Sequence, residues 1–368
     1  MKKICIVFLG EFVTDARCIN MAQTILSSGK YYLSVISLQN TEKSFADSLF
    51  QGVHFFNITI PNIKIFKYFN FHRKVKNIIK NNNFDIIIAS DLYSLSGACS
   101  SNSKVIFDSR EIYSELEAHI KKPLYRWFWK KYEKYYLQLI NDVIVTADSD
   151  SAFLHNLYPF NNLSFYTIFN YPKYIKYKKT NLLREKFNIS EKHKIILYQG
   201  VLQEGRGISK LIQAINNSSQ FSGVVIGNGL MKNRYIKEVS KNNLESRIFF
   251  MDAVPYNDLF RYTASADIGW LLINKTSISN KFALPNKLFE YVLMGIPVVS
   301  SNIKNITDII YKHKLGVVVK NKNEVPEYEK VLSRLVAMNL DSSALHEIAK
   351  KYFVWEQQEN TFLTILSK

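Results

Sequence analysis

Short apolar runs alternate with longer segments of helical spacing from one end of this 368-residue chain to the other, in two successive series. In the first, residues 3–9, 33–38, 53–60, 85–90, 104–109, 142–147 and 165–169 read as strands, and segments such as 15–28 and 71–81 between them carry helical periodicity. Several of the runs are continuously apolar, as expected of parallel strands covered by helices on both faces. Residues 171–193, YPKYIKYKKTNLLREKFNISEKH, break the rhythm with charge and no strand-like run. A second series follows at 194–199, 222–226, 247–251, 267–273, 297–301 and 315–319, and VWEQQENTFLTILSK reads as a closing helix. This order predicts an α/β protein of two doubly wound domains facing each other across a cleft, with ligands beyond the carboxyl ends of the strands. The expected boundaries are 1–171, a linker at 172–193, and 194–353, with 354–368 packing back on the first domain.

Composition narrows the class. Hydrophobic residues make up 47% of the chain, enough for two cores. Its three cysteines, Cys5, Cys18 and Cys99, are too few and too scattered for a disulfide framework or a zinc site, which fits a reducing compartment. The opening MKKICIVFLGEF imitates a signal peptide, yet its apolar run is short and ends at Gly10-Glu11 without a cleavage site, so it reads as a buried first strand. No run approaches the ~18 apolar residues of a spanning helix. The formal charge is +17, and residues 61–140 hold fourteen Lys/Arg against seven Asp/Glu. Such an excess draws nucleic acid, anionic lipid or a phosphorylated substrate, and charge alone does not choose among them.

Each half opens with a strand that breaks into glycine. The first is IVFLGEFVTDARC, with Gly10 at the strand end; the second is ILYQGVLQEGRGISKLIQA, with Gly200, Gly205 and Gly207 ahead of a helix. Glycine lets backbone N–H groups approach a ligand, and a helix N-terminus suits phosphate. Arg206 would add a fork of donors for a diphosphate. The spacing is not the G-x-G-x-x-G dinucleotide pattern, and plain strand-to-helix turns explain the glycines equally well.

A further stretch, KFALPNKLFEYVLMGIPVVSSN, places Pro285 at the first turn of a helix over 285–294. Asn286 and Lys287 then lie beside its free N–H groups. A lysine there opposes the helix dipole, and a bound phosphate would reverse that sign. Glu290 is one turn further on the same face and could accept hydrogen bonds from a ribose diol. The alternative is a surface Lys–Glu pair on an ordinary helix.

These residues match a family. LPNKLFEYVLMGIPVVSSN, with YQGVLQEGRGISKLIQA upstream, resembles the donor-binding half of glycosyltransferases of the GT-B fold, two Rossmann-like domains, especially the retaining family 4 (group 1) enzymes of surface polysaccharide and glycolipid synthesis. In the first half ASDLYSLSGA, VIFDSREIYSE and FYTIFNYP resemble that family's segments in the expected order. The resemblance implies a cytoplasmic hexosyltransferase at the inner face of the membrane, retaining configuration and using a UDP- or GDP-sugar without a metal or other cofactor. It assigns Glu290 to the nucleotide ribose, Arg206 to the diphosphate, and Leu284, Pro285 and Asn286 to the donor's sugar and phosphates. Gly200 and Gly10 would approach the donor, and Asp91 and Glu111 would lie near the reaction centre. Arg110 and Asn170 are candidate acceptor or phosphate contacts. Two departures matter: Phe282 stands where the family has its first ribose-side glutamate, and Val201 where it has an arginine, which makes Lys287 the candidate second cation.

Residues 119–140, HIKKPLYRWFWKKYEKYYLQLI, mix six Lys/Arg with aromatics. Tyr125, Phe128, Tyr132, Tyr135, Tyr136 and Leu139 recur at three or four residues, giving a helix face that either lies on lipid headgroups or packs on the first domain. IFKYFNFHRKVKNIIK upstream adds to this surface. No nucleic-acid-binding module is recognisable, so nucleic acid is not an expected partner. Two other functions stay open: a UDP-sugar epimerase of the same fold, and a basic membrane- or nucleic-acid-binding scaffold without catalysis.

Overall fold

The structure, a computed structural model, describes residues 1–39, 50–61, 64–319 and 326–368. They divide into two compact units, Met1–Asn170 with Ser277–Ser279 and Gln358–Lys368, and Tyr171–Thr276 with Asn280–Gln357.

The first unit is built on a parallel seven-stranded sheet: β1 (Lys2–Glu11), β2 (Tyr31–Leu38), β3 (His54–Ile58), β4 (Ile86–Ala89), β5 (Lys104–Ser109), β6 (Asp142–Val145) and β7 (Ser164–Thr167), in the order β3-β2-β1-β4-β5-β6-β7. The order reverses between β1 and β4, and in such a sheet this is where a crevice opens at the strand ends. β4, Ile-Ile-Ile-Ala, is buried throughout, as both-face helix cover requires. Asp15 caps the first helix, Ala16–Ser27, by accepting from the Cys18 N–H at 2.8 Å. The last helix, Glu359–Ser367, belongs to this unit: Glu359 Oε1 accepts from Thr24 Oγ1 at 3.0 Å, and Gln358 Oε1 from the Phe169 N–H at 2.9 Å.

The second unit repeats the plan with six parallel strands: β8 (Lys194–Gln199), β9 (Phe221–Ile226), β10 (Ile248–Met251), β11 (Ile268–Leu271), β12 (Val298–Ser301) and β13 (Gly316–Val319), in the order β10-β9-β8-β11-β12-β13. Its reversal lies between β8 and β11. Helix Ile208–Asn216 buries Ile208, Leu211, Ile212 and Ile215, one stripe of a 3.6-residue period, in a core that includes Tyr198, Val225 and Trp270. Residues 172–193, read from sequence as a linker, fall within this unit, and Leu182–Phe187 is helical. Leu183 is fully buried there, an anchor hidden among the lysines of that stretch.

The basic aromatic segment differs from its sequence reading. Helix Pro123–Leu137 buries the line Trp129, Glu133 and Leu137, four residues apart, rather than the face through Tyr125, Phe128 and Tyr135. Phe128, Tyr135 and Leu139 are exposed, as are Leu124 (84%) and Trp127 (61%). Trp129 wins the interior because Tyr68, Tyr93, Tyr125 and Tyr132 all meet its ring edge-on, at 4.9–5.9 Å between centroids.

Candidate functional site

In the second unit the chemistry gathers where β8 and β11 end. After Gln199 the chain enters a glycine loop in which Gly200, Gly205 and Gly207 all take positive φ (123°, 80° and 73°). This loop is pinned rather than loose. Gly200 N–H bonds Ile226 O at 2.9 Å, Gly205 O accepts from Asn274 N–H at 2.8 Å, and Gly207 O accepts from the Trp270 indole at 2.9 Å. The neighbouring turn presses on it so closely that a Cβ on Gly227 would lie 2.0 Å from Gly200 O.

Pro285 is the N-cap of helix Asn286–Leu293 rather than its first-turn residue, with extended backbone (φ −78°, ψ 146°). Asn286 and Lys287 therefore open the helix, half-buried, and Leu284 just before them is buried. Lys287 and Glu290 do not form a surface ion pair. The Lys287 ammonium sits over the Tyr198 ring, 4.2 Å from its centroid, and 3.1 Å from where a Gly200 Cβ would be. Burial, and then repulsion from Arg206, push its pKa down from 10.5 to about 7, against the pull of Glu290.

Glu290 is buried, and both of its oxygens are engaged: Oε2 accepts from Gln199 Nε2 at 2.6 Å and Oε1 from Tyr256 OH at 3.2 Å. Gln199 is itself oriented by Thr263 Oγ1, which donates to its Oε1 at 2.8 Å. Burial raises the Glu290 pKa, opposed by these donors. A carboxylate has about four acceptor positions, so a diol could still be received at the remaining ones. Phe282 and Val201, the two departures, carry no compensating charge; Val201 is exposed, and the Phe282 carbonyl accepts from Asn305 Nδ2 at 2.6 Å.

In the first unit the corresponding place, the ends of β1 and β4, gathers a second cluster. Asp91 is buried beside the end of β1, which holds Gly10; its Oδ2 accepts from the Leu9 N–H at 2.5 Å, and its Oδ1 from Ser94 N–H and Oγ at 2.8 and 2.9 Å. Burial raises its pKa despite these bonds. Glu111, two residues beyond β5, is exposed. Arg110 between them is committed inside the unit: Nη1 donates to Asp15 Oδ2 at 2.5 Å, Nε to Asp108 Oδ2 at 3.1 Å, and Nη2 to Cys18 Sγ at 2.9 Å. Asn170 accepts from Arg17 Nη1 at 2.9 Å.

Sequence reasoning missed the members that organise both clusters. Arg17 forks onto fully buried Asp108, at 2.7–3.0 Å, and reaches Ile168 O at 2.8 Å. An arginine in the first helical turn opposes the dipole as Lys287 does, and Asp108 interrupts an apolar strand; both were available signals. In the second unit Gln199 ends a mostly apolar strand, a signal of the same kind.

Residues 179–352 match the model of the family Glycosyl transferases group 1. Over that stretch, just under half of its length, the chain is similar to group 1 glycosyltransferases. Among curated proteins it is similar to the chitobiosyldiphosphodolichol beta-mannosyltransferase of Candida albicans, 22% identical over 231 residues, covering 59% of this chain and 49% of that enzyme. This chain thus spans about half the length of that relative. Among solved structures, sucrose-phosphate synthase from Thermosynechococcus elongatus superposes with a TM-score of 0.80 at 16% identity, over 100% of this chain and 98% of that one. Anabaena HepE, solved with UDP and glucose, gives 0.78 at 15% identity with full coverage of both chains. WaaG, a glycosyltransferase involved in lipopolysaccharide biosynthesis, gives 0.75 at 14%, over 98% and 99%. At these identities the likeness establishes the fold alone, the two-domain α/β GT-B fold. Among the described residues no helix is long and apolar enough to cross a membrane, and no three His, Cys, Asp or Glu side chains lie together as metal ligands.

Proposed function

We propose that this enzyme transfers a sugar from a UDP- or GDP-linked donor to a glycan or lipid-linked acceptor, with retention of configuration, in the synthesis of a surface polysaccharide or glycolipid. The observation that carries the reading is the convergence, at the β8/β11 reversal, of a pinned glycine loop, Arg206, the Lys287 ammonium and the buried Glu290 carboxylate. Breaking a sugar–phosphate bond leaves charge on the diphosphate. Arg206, Lys287 and the amides of the loop and of the 286–293 helix start would stabilise that charge as it develops, in the role a divalent ion plays elsewhere. Gly200, Leu284, Pro285 and Asn286 would supply backbone to the donor, and Glu290 would hold the ribose. Within the first unit Gly10, Asp91 and Glu111 carry the acceptor-side part of the proposal. Asp91 holds the end of β1 next to Gly10 through the Leu9 N–H, and Glu111 is exposed.

Thermal shift across UDP-, GDP- and CMP-sugars tests it. We expect stabilisation by a UDP- or GDP-sugar, abolished in Arg206→Ala and Glu290→Ala; no shift with any of them refutes it. Release of an isomeric UDP-sugar without acceptor would instead identify an epimerase.

A specific observation also supports attachment to a membrane surface. Leu124, Trp127 and Phe128 are exposed, as are Phe66 and Phe69 of helix Lys64–Asn81, and the two helices meet through Tyr68 and Trp129. Helix Lys64–Asn81 carries six Lys/Arg and no acidic residue. Aromatics at the interface and cations on headgroups are what an anionic bilayer binds.

A further inference from the structure

We infer that Tyr198 is the positioning residue of the proposed donor site, holding the Lys287 ammonium by its ring face and the glycine loop by its hydroxyl. The inference rests on the donor reading above and adds a residue that touches no substrate in it. Tyr198 is the penultimate residue of β8, and its side chain is 1% exposed. Two independent contacts leave that side chain. The ring lies under Lys287 Nζ, 4.2 Å from the centroid, and the hydroxyl donates to Val201 O at 2.8 Å.

The first contact answers an electrostatic problem. Lys287 stands at the positive end of helix Asn286–Leu293, with Arg206 nearby and no ion pair to Glu290, so three influences oppose its charge: burial, Arg206 and the helix end. The electron-rich face of a tyrosine is the compensation that needs no anion and leaves the outer side of the ammonium open to one. Gly200 makes the arrangement possible. Its φ of 123° excludes other residues, and a Cβ there would stand 3.1 Å from the ammonium. The second contact ties the same side chain to the loop segment between Gly200 and Arg206. The lysine and the loop amides are thus aimed from one rigid ring, and the position where the family carries an arginine, Val201, is the residue whose carbonyl Tyr198 holds. The charged groups that act on Lys287 are Arg206 and Glu290, and the Tyr198 ring faces it.

The test uses the full chain with Tyr198→Phe, which keeps the ring and removes the hydroxyl, and Tyr198→Leu, which removes both. Acetylation of Lys287 by an N-hydroxysuccinimide ester at pH 5, where little of the lysine is deprotonated, followed by mass spectrometry without nucleotide, reads the hold on the lysine. We expect the rate in Tyr198→Leu to rise roughly tenfold and that in Tyr198→Phe to stay within about twofold of wild type. Calorimetric titration with UDP and with GDP reads the site. Whichever nucleotide binds should bind roughly tenfold more weakly to Tyr198→Leu and roughly threefold more weakly to Tyr198→Phe. Equal Lys287 acetylation in all three proteins overturns the positioning role whatever the nucleotide does. Unequal acetylation with no binding of either nucleotide to the wild type overturns the donor reading and with it the role in that site. If Tyr198→Leu fails to fold, the Tyr198→Phe titration still decides: unchanged affinity removes the loop tie.

Discussion

Glu133→Gln should stabilise the first unit at alkaline pH and do little at acid pH. Glu133 is fully buried beneath helix Pro123–Leu137; Oε2 accepts from Tyr158 OH at 2.7 Å, while Oε1, with Trp129 Nε1 and Ser114 Oγ close by in sequence or fold, has no hydrogen-bond partner among the described residues. Burial raises its pKa from 4.5 to about 7. The folded protein therefore binds this proton more tightly than the unfolded chain, and stability falls as pH rises from about 4.5 to about 7, then stays low. At ~1.4 kcal/mol per pH unit the cost approaches about 3 kcal/mol above that window, as an upper bound. Glutamine mimics the protonated acid and escapes it. For a unit of this size that corresponds to a Tm gain of several degrees, on the order of 6–10 °C at most at pH 8, and to almost none at pH 4.5. Differential scanning calorimetry at the two pH values decides. A gain of equal size at both, or a loss at pH 8, refutes the reasoning.

Other outcomes follow from the same geometry. Nucleotide affinity should weaken by up to tenfold per pH unit above about pH 7, as Lys287 loses its proton in the free site, and Lys287→Arg should flatten that profile in calorimetric titrations. Gly227→Ala puts a methyl 2.0 Å from Gly200 O at a φ of 145°, so it should cost about 3 kcal/mol or more and lower the urea midpoint of the second unit. Arg17→Ala strands buried Asp108 and should cost roughly 3–5 kcal/mol, read by the same denaturation in the first unit. Flotation with anionic vesicles should fail when Lys130, Lys131 and Lys134 are neutralised; unchanged flotation would defeat the membrane reading.

The fold was legible because its signal is repetitive. Each strand expected from an apolar run is present to within a few residues, since β-branched runs such as Ile86–Ile88 have few alternatives to a doubly covered sheet. The helix at Lys64–Asn81 began about two turns earlier than periodicity indicated, because Phe66 and Phe69 point to solvent and blur the pattern. The amphipathic face of 119–140 was misread for a related reason. A buried glutamate between Tyr132 and Lys134 looks polar in sequence, and only the packing around Trp129 shows which side is inside. At the site, Lys287 and Arg206 announced themselves by being cations where helix starts and glycine loops prefer anions. Gln199 and Tyr256 did not announce their role, because their meaning lies in a partner, Glu290, that is 91 and 34 residues away in sequence.

The central claim is that a nucleoside diphosphate is gripped by Arg206 and Lys287 with its ribose on Glu290. A crystal of the full chain soaked with UDP and, separately, with GDP tests it most directly. The account predicts density for one of them, its phosphates within hydrogen-bond distance of Arg206 and Lys287 Nζ and its ribose at the Glu290 carboxylate. A nucleotide bound elsewhere, or neither bound at concentrations that saturate other sugar transferases of this fold, would contradict it.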